Sequence, residues 1–168
     1  MAGREFLDQV AVITGASSGI GRATALALAQ AGARVALASR NVGRLHEAAE
    51  EIRSLGRQAL VIPTDVTRRE QVQALIDQTL AEWGRIDILV ANAGAYVRAP
   101  IWELTVADVE RSLAVNFYGA LYAVLIALPH MRRRGSGHIV LVSSLDGHFG
   151  LPLDAPYVSA KFALRGFG

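Results

Sequence analysis

The sequence predicts a Rossmann-like α/β fold, a doubly wound parallel sheet with strand order 3-2-1-4-5. Three observations carry this. Short apolar, β-branched runs alternate with longer amphipathic segments, three successive helical segments end at a glycine, and the first strand runs directly into a glycine-rich turn that opens a helix. Every crossover is long enough to hold a helix, as parallel neighbours require, so the connections are expected to be right-handed. The strands are read at Val10–Thr14, Arg34–Ser39, Ala59–Pro63, 86–91 and 139–143. Helices at about 20–31, 42–55 and 68–83 stop at Gly32, Gly56 and Gly84, a residue suited to the left-handed position after a helix. The next helix, 106–134, is apolar on nearly every face between Leu113 and Leu128. It is expected to be buried on more than its sheet side, with a second subunit as a natural cover. Segments 95–102 and 146–156, with their glycines and prolines, read as loops.

The 168 residues fit one domain spanning 1–168, long enough to bury roughly 70% of the surface its unfolded chain would expose. A hydrophobic share of 52% against 19% charged residues points to central strands covered on both faces. The net charge is only +2 and the arginines are scattered, which argues against a nucleic-acid partner. The run Arg132, Arg133, Arg134 reads as the solvated last turn of a helix, where the dipole favours cations. With no cysteine there are no disulfides or thiolate metal sites, which fits a reducing, cytoplasmic location. His46, His130, His138 and His148 show no ligand spacing, so no metal is expected. The charged residues Arg4, Glu5 and Asp8 before the first strand leave no secretory signal. The stretch 113–128 falls short of the roughly 20 residues a membrane span needs. It carries Asn116 and ends at Pro129, so a buried helix is the better reading and no membrane partner is expected.

The turn Thr14-Gly15-Ala16-Ser17-Ser18-Gly19-Ile20-Gly21 stands where backbone amides of Ser17, Ser18, Gly19 and Ile20 can face a pyrophosphate. Gly15 permits the tight turn, Gly19 close backbone approach, and Gly21 helix packing against the strand. Strand two ends in Ser39-Arg40, where an acid would bind a ribose 2′-hydroxyl. Arginine attracts a 2′-phosphate instead, so NADP(H) is favoured over NAD(H), unless Arg40 is only a helix-flanking surface charge. The strand order brings the Gly15 turn, Asn92-Ala93-Gly94 and Ser143-Ser144 to one rim at the switch point. Lys161 is the only lysine among seventeen basic residues and follows Tyr157 by one helical turn. A compact ammonium there can lower the phenol's pKa and bond ribose hydroxyls, which a guanidinium fork does less well. Tyr157 thereby becomes a candidate proton donor, although such a pair also occurs on ordinary helix surfaces.

Taken together, these residues resemble the short-chain dehydrogenase/reductase family, from about Gln9 to the last residue. The matching pieces are Thr14 to Gly21, Asp65-Val66, Asn92-Ala93-Gly94, Asn116, Ser144, and Tyr157-x-x-x-Lys161. The resemblance implies NAD(P)(H) binding, with Asp65 and Val66 near the adenine, and a catalytic tetrad of Asn116, Ser144, Tyr157 and Lys161. Ser143 matches the usual neighbour of the reactive serine. The expected reaction interconverts an alcohol and a ketone or aldehyde: Tyr157 is the acid/base, Lys161 tunes it and holds the ribose, Ser144 polarises the carbonyl, and Asn116 positions a relay water. Taken alone, Asp65 also suits a helix cap and Asn92 a turn. Asn116 is harder to place, because an amide in an apolar helix is costly without partners and a kink holding a water is economical.

Two positions depart from the family pattern. Ala91 stands where many relatives have asparagine, and the chain ends at Gly168 where relatives continue for roughly 80 residues. The expectation is a C-terminally truncated domain whose last strand is an apolar open edge. A non-catalytic nucleotide-binding or interaction fragment is the alternative. A nucleotide-sugar epimerase, which also uses a Tyr-x-x-x-Lys pair, has a different glycine spacing. Tyr96, Val97, His148, Phe149, Leu151 and Leu153 are the candidates to line a substrate site, an apolar set that leans towards hydrophobic alcohols or ketones. Homo-oligomer contacts are expected through 106–134 and the helix of Tyr157.

Overall fold

β1 (Val10–Thr14) is buried at every residue, as an unbroken apolar run in a sheet covered on both faces should be. A computed structural model describes residues 5–168; Arg4, one of the charges read before this strand, lies outside the described residues. β1 pairs in parallel with β2 (Arg34–Ser39) on one side and β4 (Ile88–Ala91) on the other. β3 (Ala59–Pro63) lies beyond β2 and β5 (His138–Leu141) beyond β4, so the order is 3-2-1-4-5 as the sequence predicts.

Successive strand residues point to opposite faces, and the core divides accordingly. Ala11, Ile13, Val35 and Leu37 meet α1 (Gly19–Gln30) and α2 (Val42–Ser54) on one face. Val12, Ala36 and Leu89 meet α3 (Arg69–Trp83) and α5 (Gly119–Arg134) on the other. α4 (Val106–Leu113) and α6 (Ala155–Phe167) stand near the C-terminal ends of the strands, where the site lies. Gly32, Gly56 and Gly84 have φ of +113°, +71° and +70°, so each helix stops in the conformation expected of it.

Several boundaries move. β4 begins at Ile88 rather than 86; just before it, the Asp87 backbone bonds Val10 O and His138 N, and its carboxylate accepts from Val10 N at 2.8 Å, Arg85 Nε at 2.8 Å and Arg134 Nη1 at 2.8 Å. β5 ends at Leu141 rather than 143, and the next carbonyl, of Val142, accepts from the Lys161 side chain at 2.7 Å. The segment 106–134 is not one uniform helix; a π-helical turn, Ala114–Tyr118, joins α4 to α5 around Asn116. As the sequence reading of 106–134 has it, the helix continues through Pro129 to Arg134. Proline leaves the carbonyl four residues earlier without its donor, and that residue, Leu125, is exposed to water. Nor is α5 buried all round within one chain. Ala123, Ala127 and Met131 pack into the core, whereas Leu125 is 55% and Leu128 44% exposed. The 106–134 helix is long and apolar enough to cross a membrane by length and composition, but one face of it fills the core of this sheet.

Asp87 ties three elements at the N-terminal edge of the sheet. Burial pushes its carboxyl up, but hydrogen bonds from Arg85, Val10 N and Arg134 outweigh this and hold it below the ordinary carboxylate range. A depressed folded-state pKa stabilises the fold above the unfolded value and ceases to do so as pH falls through the folded one. Asp87→Ala is therefore expected to lower the unfolding free energy by about 2–4 kcal/mol at neutral pH, chiefly by leaving Val10 N–H unpaired. In urea titrations the gap to wild type should narrow below about pH 4; a pH-independent gap would separate the effect from the carboxylate charge.

Candidate functional site

A cavity of about 530 Å3 opens at the C-terminal ends of the strands. It runs from Ser39, Arg40, Asp65 and Val66 on the β2–β3 side, past Gly15, Ser17, Ser18 and Ile20, over Asn92, Ala93 and Gly94, to Tyr157 and Lys161 beside β5. The residues that sequence reasoning drew from distant segments are thus brought to one cleft. Gly19, Gly21, Asn116 and Ser144 are not part of its lining. Gly21 and Asn116 act from behind it, as described next.

The β1 and β4 ends are joined by side chains. Thr14 Oγ1 accepts from the amides of Asn92 and Ala93, each at 3.0 Å, and donates to Val90 O, using its full hydroxyl capacity. Asn92 Nδ2 donates back to Thr14 O at 3.0 Å and Gly15 O at 3.4 Å. Asn92 is therefore a cross-strand tie more than a simple turn residue. Gly15 sits at φ +68°, where a Cβ would come within 2.8 Å of Asn92 Nδ2. A Cβ on Gly21 would collide with the Gly15 carbonyl, so both glycines are required by the closeness of turn, helix and β4.

The mouth of this turn is left open. Gly19, at φ +53°, has nothing within 4 Å of the place its Cβ would occupy. Ser18, the residue before α1, makes no side-chain cap, so the first helical amides keep their donors for a ligand. Asp65 does not cap α3; its Oδ1 instead accepts from Thr67 N at 3.0 Å and Thr67 Oγ1 at 2.8 Å. Burial pushes its carboxyl up, but the Thr67 bonds and the charges of Arg40 and Arg68 prevail and hold it below its ordinary range. Arg40 is exposed at the cavity rim and forms no ion pair among the described residues.

Asn116, 1% exposed in the π turn, is hydrogen-bonded at both the oxygen and the nitrogen of its side-chain amide. Its Oδ1 accepts from Ala95 N at 3.0 Å, and Nδ2 donates to Ala95 O at 2.8 Å and Ser112 O at 3.0 Å. The amide thus clamps the loop that follows Asn92-Ala93-Gly94. Gly94 makes room for it, since a Cβ there would lie 2.9 Å from Asn116 Oδ1.

At the far end, Tyr157 is 8% and Lys161 3% exposed. Lys161 Nζ donates to Val142 O and lies 5.5 Å from the Tyr157 ring centroid. The sequence-based expectation of a phenol acidified by this ammonium is not met in the free protein. Burial pushes Tyr157 up; the Ser144 hydroxyl opposes this, while Tyr96 and Asp146 reinforce it. Burial likewise pushes Lys161 down. Ser144 Oγ accepts from Asp146 N at 3.2 Å, which leaves its own O–H to donate elsewhere. Of the residues expected to line a substrate site, only Tyr96 borders the cavity. Val97 is buried, and His148, Phe149, Leu151 and Leu153 are exposed away from it. Sequence reasoning missed the Thr14 hub, the Val142 carbonyl and the Tyr96–Tyr157 stack; a hydroxyl at a strand end facing a neighbouring strand end was the available signal for the first.

The cleft suits a dinucleotide on its own chemistry. Uncapped amides wait at the turn, a glycine faces open space, and the buried Lys161 ammonium has three N–H groups with one acceptor among the described residues. Comparison with known proteins agrees. The family model described as short chain dehydrogenase matches residues 9–168, and the chain belongs to that family. It is 44% identical over 160 residues to cis-4-hydroxycyclohexanecarboxylate dehydrogenase of Sinomonas cyclohexanicum, covering 95% of this chain and 64% of that protein. It is 38% identical over 165 residues to an uncharacterized oxidoreductase, YxnA, of Bacillus subtilis (strain 168), covering 98% of this chain and 46% of that protein. A crystal structure from Sinorhizobium meliloti 1021, designated a short-chain alcohol dehydrogenase, superposes with a TM-score of 0.93 at 34% identity, covering 98% of this chain and 65% of that one. The chain thus spans about half to two thirds of the length of these relatives.

The Asn116 clamp is testable without any ligand. Asn116→Ala strands the Ala95 amide and carbonyl and should cost about 2–3 kcal/mol in urea unfolding. Hydrogen exchange at 93–96 should rise with it; unchanged exchange there would show that the loop is held by other means.

Proposed function

We propose that the protein is an NADP(H)-dependent oxidoreductase that interconverts an alcohol and a ketone or aldehyde, with Tyr157 as acid/base. The observation that carries this reading is the placement of Tyr157 and Lys161, both buried, in the same cleft that begins at Arg40 and the Gly15 turn. When bound, the nicotinamide supplies or accepts the hydride. The chain's own groups do the rest.

The turn amides and the α1 N-terminus hold the diphosphate, and Asp65 and Val66 border the adenine end. Arg40, unpaired and at the rim, attracts a 2′-phosphate. Lys161 turns its free N–H groups to the ribose, and Ser144 donates its O–H to the substrate oxygen. Tyr157 moves the proton to or from that oxygen. Since burial keeps the phenol protonated in the free protein, it is loaded for donation to a carbonyl. To act as a base it needs stronger help from the ammonium, which is tethered to Val142 O in the free state. Asn116 positions the water of the proton relay, while its side chain fixes the backbone around Ala95. The name of the Sinomonas relative makes an alicyclic secondary alcohol the first substrate to try. Exposed Tyr118 in the π turn and Leu125 and Leu128 on α5, with Phe162 and Phe167 on α6, offer apolar surface for self-association.

A second reading, a nucleotide-binding module without turnover, is favoured by one observation: Val140 on β5, an outer strand of the sheet, is 46% exposed. Two variants separate the possibilities. Tyr157→Phe is expected to reduce turnover by at least about a thousandfold while NADPH still binds within a few-fold of wild type by fluorescence. Near-normal turnover would contradict the assignment. Arg40→Ala should lower the kcat/KM preference for NADPH over NADH by about ten- to a hundredfold, the value of a desolvated charge contact; an unchanged ratio would remove Arg40 from cofactor choice.

A further inference from the structure

The loop that follows Asn92-Ala93-Gly94 is anchored at both ends, and the residue between the anchors lies on the Tyr157 ring. At the inner end, Asn116 grips both backbone groups of Ala95. At the outer end, Arg98 Nε donates to Asp154 Oδ1 at 2.6 Å, and Ala99 N donates to Leu153 O at 3.1 Å. Between them, Tyr96 stacks on Tyr157 with ring centroids 4.1 Å apart and planes 27° from parallel. Tyr96 is 62% exposed, so burial alone does not place it there.

Two features show that the outer anchor is specifically maintained. Asp154 occupies the N-cap position of α6, the helix of Tyr157, and aspartate is a favoured cap. Yet it makes no side-chain cap bond; its carboxylate, 6% exposed, is turned to Arg98 instead. Its neighbour Leu153 has φ +70°, a sparsely populated conformation for a residue with a side chain, which persists only where the surroundings hold it. That conformation presents the carbonyl taken by Ala99 N–H.

We propose that Tyr96 is a specificity-determining residue of this site, and that the Arg98–Asp154 ion pair is the positioning element that keeps it on Tyr157. The inference rests on the functional reading above and deepens it. The Tyr96 ring covers one flank of the acid/base phenol, so a substrate oxygen reaches Tyr157 only from the cavity side. Compact or flat ketones fit that approach; ketones branched on both sides of the carbonyl meet the ring. Arg98 itself does not border the cavity and acts through the loop.

The test uses the full-length protein with NADPH, a compact cyclic ketone and a doubly branched one, and hydrogen exchange of the unliganded protein. Tyr96→Ala should raise the ratio of kcat/KM for the branched over the compact ketone by about tenfold or more, the scale of steric discrimination in a pocket. Arg98→Met should move the ratio the same way. It should raise KM for the compact ketone several-fold, leave kcat within about twofold, and cost Ala99 roughly tenfold in amide protection. The exchanged pair, Arg98→Asp with Asp154→Arg, should restore part of both effects, and Arg111→Met, which breaks an exposed ion pair on α4, should produce neither. Unchanged selectivity in Tyr96→Ala overturns the specificity role. Unchanged Ala99 protection in Arg98→Met overturns the clamp. A wild type that binds NADPH but reduces neither ketone removes the functional reading and the specificity role together, while the exchange result still decides the clamp.

Discussion

The site depends on one junction: the Thr14 hydroxyl and the Asn92 amide, which bind the end of β1 to the end of β4 by five hydrogen bonds at 3.0–3.5 Å. Parallel strands that diverge into helices on opposite faces leave a crevice between their ends, with backbone groups that have lost ladder partners. Here those groups are satisfied by two polar side chains, and the crevice keeps a constant width. The glycines follow from that closeness: Gly15 and Gly21 are glycine because Asn92 and the turn carbonyl occupy the places their side chains would take. A looser junction would tolerate alanine and would also let the turn amides drift from the positions a diphosphate needs.

The other end of the cleft is organised by burial of polar groups. An ammonium and a phenol sit together at 3% and 8% exposure, and desolvation pushes both towards their neutral forms. Their mutual attraction is weak at the observed separation, since Nζ lies 5.5 Å from the ring centroid and faces Val142 O. Acid/base tuning is then a property of the assembled site, in which a bound ribose would draw the ammonium from the carbonyl. The only lysine in a chain rich in arginine fits this, because a compact ammonium on a flexible stem can change partners where a planar fork cannot.

The sheet order, the glycine-stopped helices and the convergence of Gly15, Asn92 and Tyr157 were legible in the sequence because each rests on local pattern: period, crossover length, or φ > 0. What was not legible depends on who bonds to whom across the fold. The fate of Asn116 is the clearest case. A polar residue in an apolar helix signals a need for partners, but nothing in the sequence says that one of them is the backbone of Ala95. The direction of the Tyr157 shift was misjudged for a related reason: spacing of one helical turn places two side chains on one face, whereas the sign of the shift depends on how far both are withdrawn from water. His148, Phe149, Leu151 and Leu153 were expected to line the substrate site as an apolar set, but they are exposed and do not border the cavity.

The two halves of the cleft differ in kind. The nucleotide half is built from strand ends and helix starts, elements held by a core whose central residues are wholly buried. The other half is flanked by two loops, 95–102 and 146–156, held by Asn116, by the Tyr96–Tyr157 stack, by Arg165 on the Gly147 carbonyl, and by each other through Arg98, Asp154, Ala99 and Leu153. Binding on the first half needs little rearrangement, since its donors are already fixed and uncapped. On the second half, the groups are held by loop-to-loop bonds and by contacts with α6 more than by the strands. Such a division lets the same nucleotide-binding frame accept different substrates through changes confined to a handful of loop side chains.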